Sequence, residues 1–231
     1  MKLSKKIIAV IPARSGSKTI LNKNIKKING KPLLAYSIEQ CLKSNIFNKI
    51  YFSTDSKKYA KISKKFGIKD VILRPKNISK DNSTDFEMIN HLIKNVEGDF
   101  EFIAHIRPTT PDRKISDIKS AVKIFVKSNF SSLRSVHEMS ETSFKSVQIK
   151  NGKIIPLKNL KLDMDSLNKP RQNFPKTFSP NGVIDIYRKE VILKKKKLFG
   201  NNVKAFVTSF TQEIDSINDF KYLQYLWKKK K

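Results

Sequence analysis

Short apolar segments rich in β-branched residues alternate with longer segments of helical period in the first half of the chain. The strand-like segments are 7–11, 50–53, 71–73 and 102–106, and the helical patterns are 32–43, 57–66, 86–96 and 116–127. This alternation predicts βαβ units and an α/β fold with a doubly wound, mostly parallel sheet. In sheets of this kind, ligands bind beyond the carboxyl ends of the strands.

The pattern changes after about residue 132. Short β-like segments at 133–136, 145–149 and 183–187 surround a polar, proline-bearing region at 156–180 that has no long helical period. A strand at 203–207 then precedes a final helix, whose apolar face contains Phe220, Leu223, Leu226 and Trp227. We therefore expect one α/β domain over residues 1–231 with a small inserted lobe or arm.

Length and cysteine content exclude several classes of protein. A chain of 231 residues with 39% hydrophobic residues is long enough to bury one core. No apolar run reaches the roughly 18 residues of a spanning helix, and 7–11 is too short for a signal peptide, so we expect a cytoplasmic protein without a membrane partner. Cys41 is the single cysteine, which excludes an internal disulfide and a cysteine-based zinc site.

The net charge of +28 raises the possibility of nucleic-acid binding, since basic surfaces attract phosphate backbones. However, 41 of the 48 cationic residues are lysines, and they are spread through almost every segment. The chain has no RNA-binding aromatic signature, zinc finger or basic-region heptad. We expect no specific nucleic-acid partner, and a non-catalytic protein that binds phosphate or nucleic acid is the alternative from another class.

The loop after the first strand, VIPARSGSKTILNKN at 10–24, has the composition of an anion site. Successive backbone amides at 15–18, together with Arg14, Lys18 and Lys23, would form a concavity suited to a polyphosphate. The loop is not a Walker A motif, because the earlier glycine of that motif is absent and Ser17 separates Gly16 from Lys18. Taken alone, an ordinary basic connection between a strand and a helix remains the alternative.

An acidic turn precedes the final helix. Alternate residues at the end of a strand point the same way, so Glu213 and Asp215 could present carboxylates to one Mg²⁺ that also binds a phosphate. The alternative is that the turn caps the helix or compensates its dipole. Ser216 and Asp219 have the spacing of a capping box, with Asp in place of the usual Glu or Gln.

Seven segments together resemble the cytidylyltransferases that make CMP-activated nonulosonic acids, the acylneuraminate cytidylyltransferase family. They are, in chain order, IPARSGSKTILNKNI, GKPLLAYSIE, STD, RPKNISKDNSTDF, RPTTPDR, PRQNFPKTFSPNG and EIDSINDF. The resemblance implies a nucleotide-diphospho-sugar transferase-like fold, a dimerisation lobe at about 133–185, and a homodimer. It also implies magnesium and the transfer of CMP from CTP to the anomeric hydroxyl of a sialic-acid-like sugar, with release of pyrophosphate.

The resemblance carries roles onto individual residues. It implies nucleotide binding by Ala13, Arg14, Ser17, Lys18, Lys23, Asn24, Arg74, Thr84, Arg107 and Thr109. It implies catalytic roles for Arg14, Lys23 and Asp215, and metal binding by Glu213 and Asp215. It implies sugar contacts by Arg171, Asn181 and Asp185.

Five positions depart from the family pattern. Thr19, Leu21 and Glu213 replace a glycine, a proline and an aspartate, and Arg107 replaces a glutamine. Asp185 stands where many sialic acid enzymes have tyrosine. The arginine side chain has no hydrogen-bond acceptor, so it cannot recognise a nucleobase by donating and accepting hydrogen bonds as a glutamine amide does. The acceptor therefore stays open between a sialic-acid-like sugar, another acid sugar such as Kdo, and a sugar phosphate with a different nucleotide.

Overall fold

The computed structural model of the chain describes residues 6–157 and 163–229. The strands in these ranges are β1 (Ile7–Pro12), β2 (Lys27–Ile28), β3 (Lys31–Pro32), β4 (Lys49–Thr54), β5 (Asp70–Leu73), β6 (Phe102–His105), β7 (Ser132–Glu138), β8 (Val147–Lys150), β9 (Lys153–Pro156), β10 (Phe178–Arg188) and β11 (Val203–Val207). The helices are α1 (Leu33–Ser44), α2 (Lys57–Lys65), α3 (Asp85–Asn95), α4 (Ile115–Val126), α5 (Met164–Leu167), α6 (Lys189–Lys195) and α7 (Ile217–Lys229).

A seven-stranded sheet forms the centre of the fold, in the order β11-β7-β10-β6-β1-β4-β5. Neighbouring strands are parallel except at β10, which runs antiparallel to both β6 and β7. The predicted α/β class and mostly parallel sheet are therefore confirmed. Strands buried on both faces read as continuous apolar runs, and β1 and β6 have that composition.

Two hydrophobic clusters cover the two faces of the sheet. Alternate residues of β1 point to opposite faces, so Ile7 and Ile11 pack with α1 and α4, whereas Ile8 and Val10 pack with α3 and α6. The four helices predicted before residue 128 are each observed within about two residues of the expected bounds. Helix α6 was not predicted, because its lysine-rich sequence buries only Val191 and Ile192 and shows little period.

The predicted lobe at 133–185 is shorter than expected. Its first and last segments fall in β7 and β10, which pair with each other inside the central sheet, and Phe178 lies opposite Glu138. The chain outside the sheet therefore runs from 139 to 177 and contains the β8–β9 hairpin and α5. Residues 158–162 of the predicted lobe lie outside the described residues.

One edge of the sheet collects the loops that carry the predicted site. The parallel strands β1, β4, β5, β6, β7 and β11 all end there, and the antiparallel strand β10 begins there. We call it the C-terminal edge. The helices in the described part of the chain include none that is both long and apolar enough to cross a membrane.

Candidate active site

Side chains from other segments hold the loop that follows β1. The backbone amide and the hydroxyl of Ser15 donate to Asp55 Oδ1 and Oδ2, each at 2.8 Å. Asn24 Nδ2 donates to the carbonyl oxygen of Arg14 at 3.0 Å, and Ala13 is buried at the start of the loop. Asp55 follows β4 directly, so the loop shape depends on the neighbouring parallel strand.

The cations of this loop face a carboxylate. Arg14 Nη1 donates to the carbonyl oxygen of Gly16 and to Asp81 Oδ1, both at 2.6 Å. Lys18 Nζ lies 2.8 Å from Asp81 Oδ2. Hydrogen bonds from Lys18 and Arg14 lower the pKa of Asp81 below its ordinary value. Arg14 and Lys18 are thus brought together, as the anion-site prediction requires.

The backbone amides contribute less to this anion site than the sequence suggested. The Ser15 amide is engaged by Asp55, and the Ser17 amide donates to the Ser15 carbonyl oxygen at 3.1 Å. Two of the four amides expected at 15–18 therefore point to acceptors within the protein. Any attraction for a polyphosphate would therefore come mainly from the side chains of Arg14, Lys18 and Lys23.

Lys23 joins this loop to the acidic turn near the end of the chain. Its ammonium donates to the Ile214 carbonyl oxygen at 2.9 Å and lies 3.4 Å from Asp215 Oδ1. Thr109 connects the same turn to the loop after β6, since its hydroxyl donates to Glu213 Oε1 at 3.0 Å and its carbonyl oxygen accepts from the Ile214 amide at 2.8 Å. Three segments that are far apart in sequence meet at one point.

The expectation that Glu213 and Asp215 alternate at the end of a strand is wrong. Strand β11 ends at Val207, and the two acidic residues lie in the loop that follows, where strand geometry does not set the direction of their side chains. Glu213 faces Thr109, and Asp215 faces Lys23. The two carboxylates therefore have different neighbours.

The capping box at the start of α7 is confirmed. The Ser216 amide donates to Asp219 Oδ2 at 2.7 Å, and the Asp219 amide donates to Ser216 Oγ at 3.2 Å. The Asp215 amide also donates to Asp219 Oδ2, at 3.1 Å. Capping is therefore the role of Asp219, and the Asp215 carboxylate stays 74% exposed.

The donors near Lys23 fit a magnesium ion that is bound mainly through a substrate. Among the described residues, no three His, Cys, Asp or Glu side chains form a group that could hold a metal by themselves. Mg²⁺ commonly binds one or two protein carboxylates and takes its remaining ligands from water and substrate phosphates. Glu213 and Asp215 provide two such carboxylates beside the cations of the anion loop.

Gly182 allows β10 to approach the acidic turn closely. Its φ is 64°, and a Cβ built there would lie 2.7 Å from Thr110 Oγ1 and 3.1 Å from Glu213 Oε1. The register of β10 shifts between Pro180 and Asp185, which marks the bulge that contains this glycine. A side chain at this position would be strained, would displace the Thr110 hydroxyl and would press against the Glu213 carboxylate.

Two of the sequence departures contact each other. Arg107 Nη1 lies 2.6 Å from Asp185 Oδ2, and Arg107 Nη2 lies 2.8 Å from Asp85 Oδ2. Burial is the largest single influence and lowers the pKa of Arg107, but Asp185, Tyr187 and Asp85 together more than offset it and raise the pKa above its ordinary value. Both terminal nitrogens of the fork are thus engaged by carboxylates, and Asp185 is buried.

The other predicted nucleotide contacts have different surroundings. Arg74 is buried at the C-terminal edge, and its Nε, itself buried, has no hydrogen-bond partner among the described residues. Thr84 caps α3, since its hydroxyl accepts from the Glu87 amide at 3.2 Å and its amide donates to the Glu87 carboxylate at 2.6 Å. The Thr84 side chain is therefore committed to the helix start.

The predicted sugar contacts are divided between the sheet and the lobe. Asn181 is buried, and its Nδ2 donates to Thr208 Oγ1 at 2.7 Å. Arg171 lies on the lobe, where its Nη2 donates to Glu138 Oε1 at 3.2 Å and to the Met139 carbonyl oxygen at 2.8 Å. Arg171 lines a cleft of about 440 Å³ formed by the lobe and the end of β7, so its contacts do not join the group around Lys23.

A sequence profile of the cytidylyltransferase family matches residues 8–230. The chain belongs to the cytidylyltransferase family. The N-acylneuraminate cytidylyltransferase of Escherichia coli O18:K1:H7 is 36% identical over 215 residues, which cover 91% of this chain and 49% of that relative. The CMP-N,N'-diacetyllegionaminic acid synthase of Campylobacter jejuni serotype O:2 is 32% identical over 227 residues, which cover 95% of this chain and 94% of that relative. This cytidylyltransferase therefore spans about half the length of the first relative and nearly all of the second.

A solved structure shares the fold of this cytidylyltransferase. The CMP:2-keto-3-deoxy-manno-octonic acid synthetase, determined in complex with CTP, superposes with a TM-score of 0.75 and covers 98% of this chain and 100% of its own. Its sequence identity is 16%, so the similarity shows the fold. The comparisons confirm the predicted family and fold class.

Three acidic residues of this cytidylyltransferase were not predicted as part of the site. Asp55 holds the anion loop, Asp81 pairs with its cations, and Asp85 pairs with Arg107. A signal for them existed, since Asp55 directly follows β4 in the segment STD, and SKDNSTD contains Asp81 before α3 and Asp85 at its first position. Acidic residues in the loops beside several cations indicate ion pairs.

Buried His105 links Arg107 and its partners to the core. Its Nδ1 lies 3.2 Å from the Tyr187 hydroxyl, which donates to Asp185 Oδ2 at 3.4 Å. Burial, followed by the positive charge of Arg107, lowers the pKa of His105 to about 4. The imidazole is therefore neutral in the folded protein at neutral pH.

Protonation of His105 is expected to destabilise the folded protein in mild acid. In the unfolded chain His105 binds a proton below its ordinary pKa of 6.5, whereas in the folded chain it binds one only when the pH falls to about 4. The free energy of unfolding therefore decreases as the pH falls between these two values. The loss attributable to His105 is on the order of 3 kcal/mol. Denaturant unfolding of wild type and His105→Asn between pH 7 and about pH 4 measures it as the difference between two profiles.

The other titratable groups are common to the wild type and His105→Asn, so the difference between the two profiles isolates the contribution of His105. Identical profiles for His105→Asn and the wild type would contradict the prediction.

Proposed function

We propose that this cytidylyltransferase transfers CMP from CTP to the anomeric hydroxyl of a nonulosonic, sialic-acid-like sugar and releases pyrophosphate. The observation that carries the proposal is the contact of Lys23 with Ile214 and Asp215, which joins the cationic loop after β1 to the acidic turn. A triphosphate and a metal-binding carboxylate need to be adjacent in this reaction. The names of the two relatives, for N-acylneuraminate and N,N'-diacetyllegionaminic acid, support a nonulosonic acceptor.

The anion loop supplies the charge that the reaction needs. Arg14 and Lys18 would bind the outer phosphates, and Lys23 would stabilise the charge that develops on the phosphoryl oxygens as the bond to pyrophosphate breaks. The hydroxyl oxygen of the sugar forms the new bond to the α-phosphorus. Removal of one preorganised donor of this kind typically raises the barrier by about 3 to 4 kcal/mol.

Glu213 and Asp215 are the residues that would hold magnesium. A bound Mg²⁺ would offset the charge of the α-phosphate and increase the electrophilicity of its phosphorus. Thr109 would orient Glu213 through its hydroxyl, and Lys23 would keep the exposed Asp215 carboxylate beside the phosphates. Arg74, buried at the C-terminal edge, would contribute its positive charge to nucleotide binding.

The sugar would lie between the start of β10 and the lobe of a second copy of the chain. The Arg171 fork suits a sugar carboxylate, yet its contacts in this chain stay on the lobe. Asn181 and Asp185 of β10 are both buried in this chain and would belong to the opposite wall. The β8–β9 hairpin is a separate two-stranded sheet with Ile149 78% exposed, and such a hairpin is marginally stable by itself. A homodimer would cover it and bring Arg171 toward the partner's site.

Pyrophosphate release tests the proposal. The protein is incubated with Mg²⁺, each of four nucleoside triphosphates, and a panel of nonulosonic acids, Kdo and sugar 1-phosphates. Turnover with CTP and a nonulosonic acid is the expected result. Turnover only with a sugar 1-phosphate would contradict it, and turnover with Kdo alone would replace the acceptor by another acid sugar.

A further inference from the structure

Asp81 stands where the proposed function requires phosphate oxygens. The Asp81 carboxylate binds both cations that flank Gly16. Its Oδ1 lies 2.6 Å from Arg14 Nη1, and its Oδ2 lies 2.8 Å from Lys18 Nζ. A carboxylate bridging an arginine and a lysine offers the same oxygen-to-cation contacts as a phosphate. An incoming polyphosphate and Asp81 therefore have the same partners.

Asp81 lies at the tip of a short turn between two anchored points. The Ser83 amide donates to the Lys80 carbonyl oxygen at 3.2 Å, and the Lys80 amide donates to Ser83 Oγ at 2.9 Å. On one side Ser79 is buried, and on the other side Thr84 caps α3. The turn tip can therefore move without disturbing the helix or the sheet.

Asp55, which follows β4, is a carboxylate that anchors the loop after β1, and it can be compared with Asp81. It accepts from the backbone amide and the hydroxyl of Ser15, so it fixes the course of the chain. Within the described residues, the hydrogen bonds and ion pairs of the Asp81 carboxylate are those with Arg14 and Lys18. The Asp81 side chain is 36% exposed and that of Lys18 is 83% exposed, so exchange with a solvent anion is sterically open.

We propose that Asp81 is a carboxylate that competes with the nucleotide: it holds Arg14 and Lys18 while the site is free and is displaced by the triphosphate. The inference rests on the proposed function for the identity of the nucleotide. The two ion pairs must break before the phosphates bind, so Asp81 weakens the binding of any polyphosphate and keeps the cations extended into the site. Its removal should therefore tighten binding, whereas removal of an ordinary binding residue weakens it.

The experiment compares the wild type with Asp81→Asn by calorimetric titration of CTP and, separately, of inorganic triphosphate. Asp81→Asn is expected to bind both about three- to tenfold more tightly, as the loss of two partly exposed ion pairs predicts. Asp99→Asn is the matched control, since Asp99 forms an exposed ion pair with Lys6 at 2.9 Å. It should bind both probes with wild-type affinity, and thermal unfolding checks that both variants are folded.

The outcomes separate this inference from the proposed function. If the wild type turns over CTP but Asp81→Asn binds triphosphate with unchanged or lower affinity, the competition is overturned and the function stands. If Asp81→Asn binds triphosphate more tightly while no acceptor supports pyrophosphate release from CTP, the function falls and the competition stands. If Asp99→Asn bound CTP and triphosphate as tightly as Asp81→Asn does, the gain in affinity would come from the change in net charge, and the inference would also be overturned.

Discussion

Asp215→Asn is expected to lower turnover by about 10²-fold or more while leaving the fold intact. The substitution removes a negative charge from the proposed magnesium site but keeps the shape of the side chain. Its carboxylate is 74% exposed, and the cap of α7 is formed by Ser216 and Asp219. Neither packing nor capping depends on the charge of Asp215, so stability should change by less than about 1 kcal/mol.

Steady-state pyrophosphate release with saturating CTP and Mg²⁺ measures the loss, and denaturant unfolding measures stability. Asp219→Asn is the matched control in the same turn, because it weakens the cap and should reduce stability more than turnover. Glu213→Gln should be milder than Asp215→Asn, since the amide can still accept from Thr109. Near-normal turnover of Asp215→Asn would show that its carboxylate is a surface partner of Lys23 and no metal ligand.

Arg113→Met is expected to lower the free energy of unfolding by about 3 to 5 kcal/mol. The Arg113 side chain is almost fully buried, and burial lowers its pKa to about 10. Its guanidinium donates to acceptors on three segments: the carbonyl oxygens of Val183, Gly182 and Arg107, Ser37 Oγ and Gln40 Oε1. Methionine fills the volume but removes the guanidinium donors from all of these acceptors.

The same substitution should disturb the site, because Arg113 holds the loop that carries Thr109 against the bulge at Gly182. Arg113→Lys should recover part of the stability, since an ammonium has three donors and lacks the planar fork. Arg171→Met, on the half-exposed lobe arginine, is the control and should cost about 1 kcal/mol or less. Denaturant midpoints for the three variants test the prediction, and wild-type stability of Arg113→Met would refute it.

The replacement of the usual glycine and proline by Thr19 and Leu21 has a structural explanation. Ile20 between them is buried and packs in a cluster with Ile214 and Phe220, while Leu21 is exposed. The loop is therefore held by a buried side chain, and its left-handed residue is Asn22, with a φ of 55°, and not Thr19 or Leu21. The sequence pattern marks this loop but gives no indication of its distant partner Ile214.

Local patterns in the sequence determined the main strands and helices before residue 128, the cationic composition of the loop after β1 and the cap of α7. Strand and helix periods, turn residues and the Ser216–Asp219 spacing act over a few residues, so each can be read without knowing the fold. The resemblance to cytidylyltransferases also depends on the sequence alone, since its motifs keep their order and composition.

Only the tertiary structure decided which charged groups pair. Arg107 with Asp185, Lys23 with Asp215, and Arg14 with Asp81 are separated by 78, 192 and 67 residues, and no local period encodes such contacts. In the sequence, Arg107 and Asp185 are two separate departures from the family pattern, whereas in the fold they form one ion pair with a buried carboxylate. The physical reason is that a parallel sheet brings the ends of remote strands to one edge, where opposite charges meet. For Asp185, burial also makes pairing with Arg107 necessary.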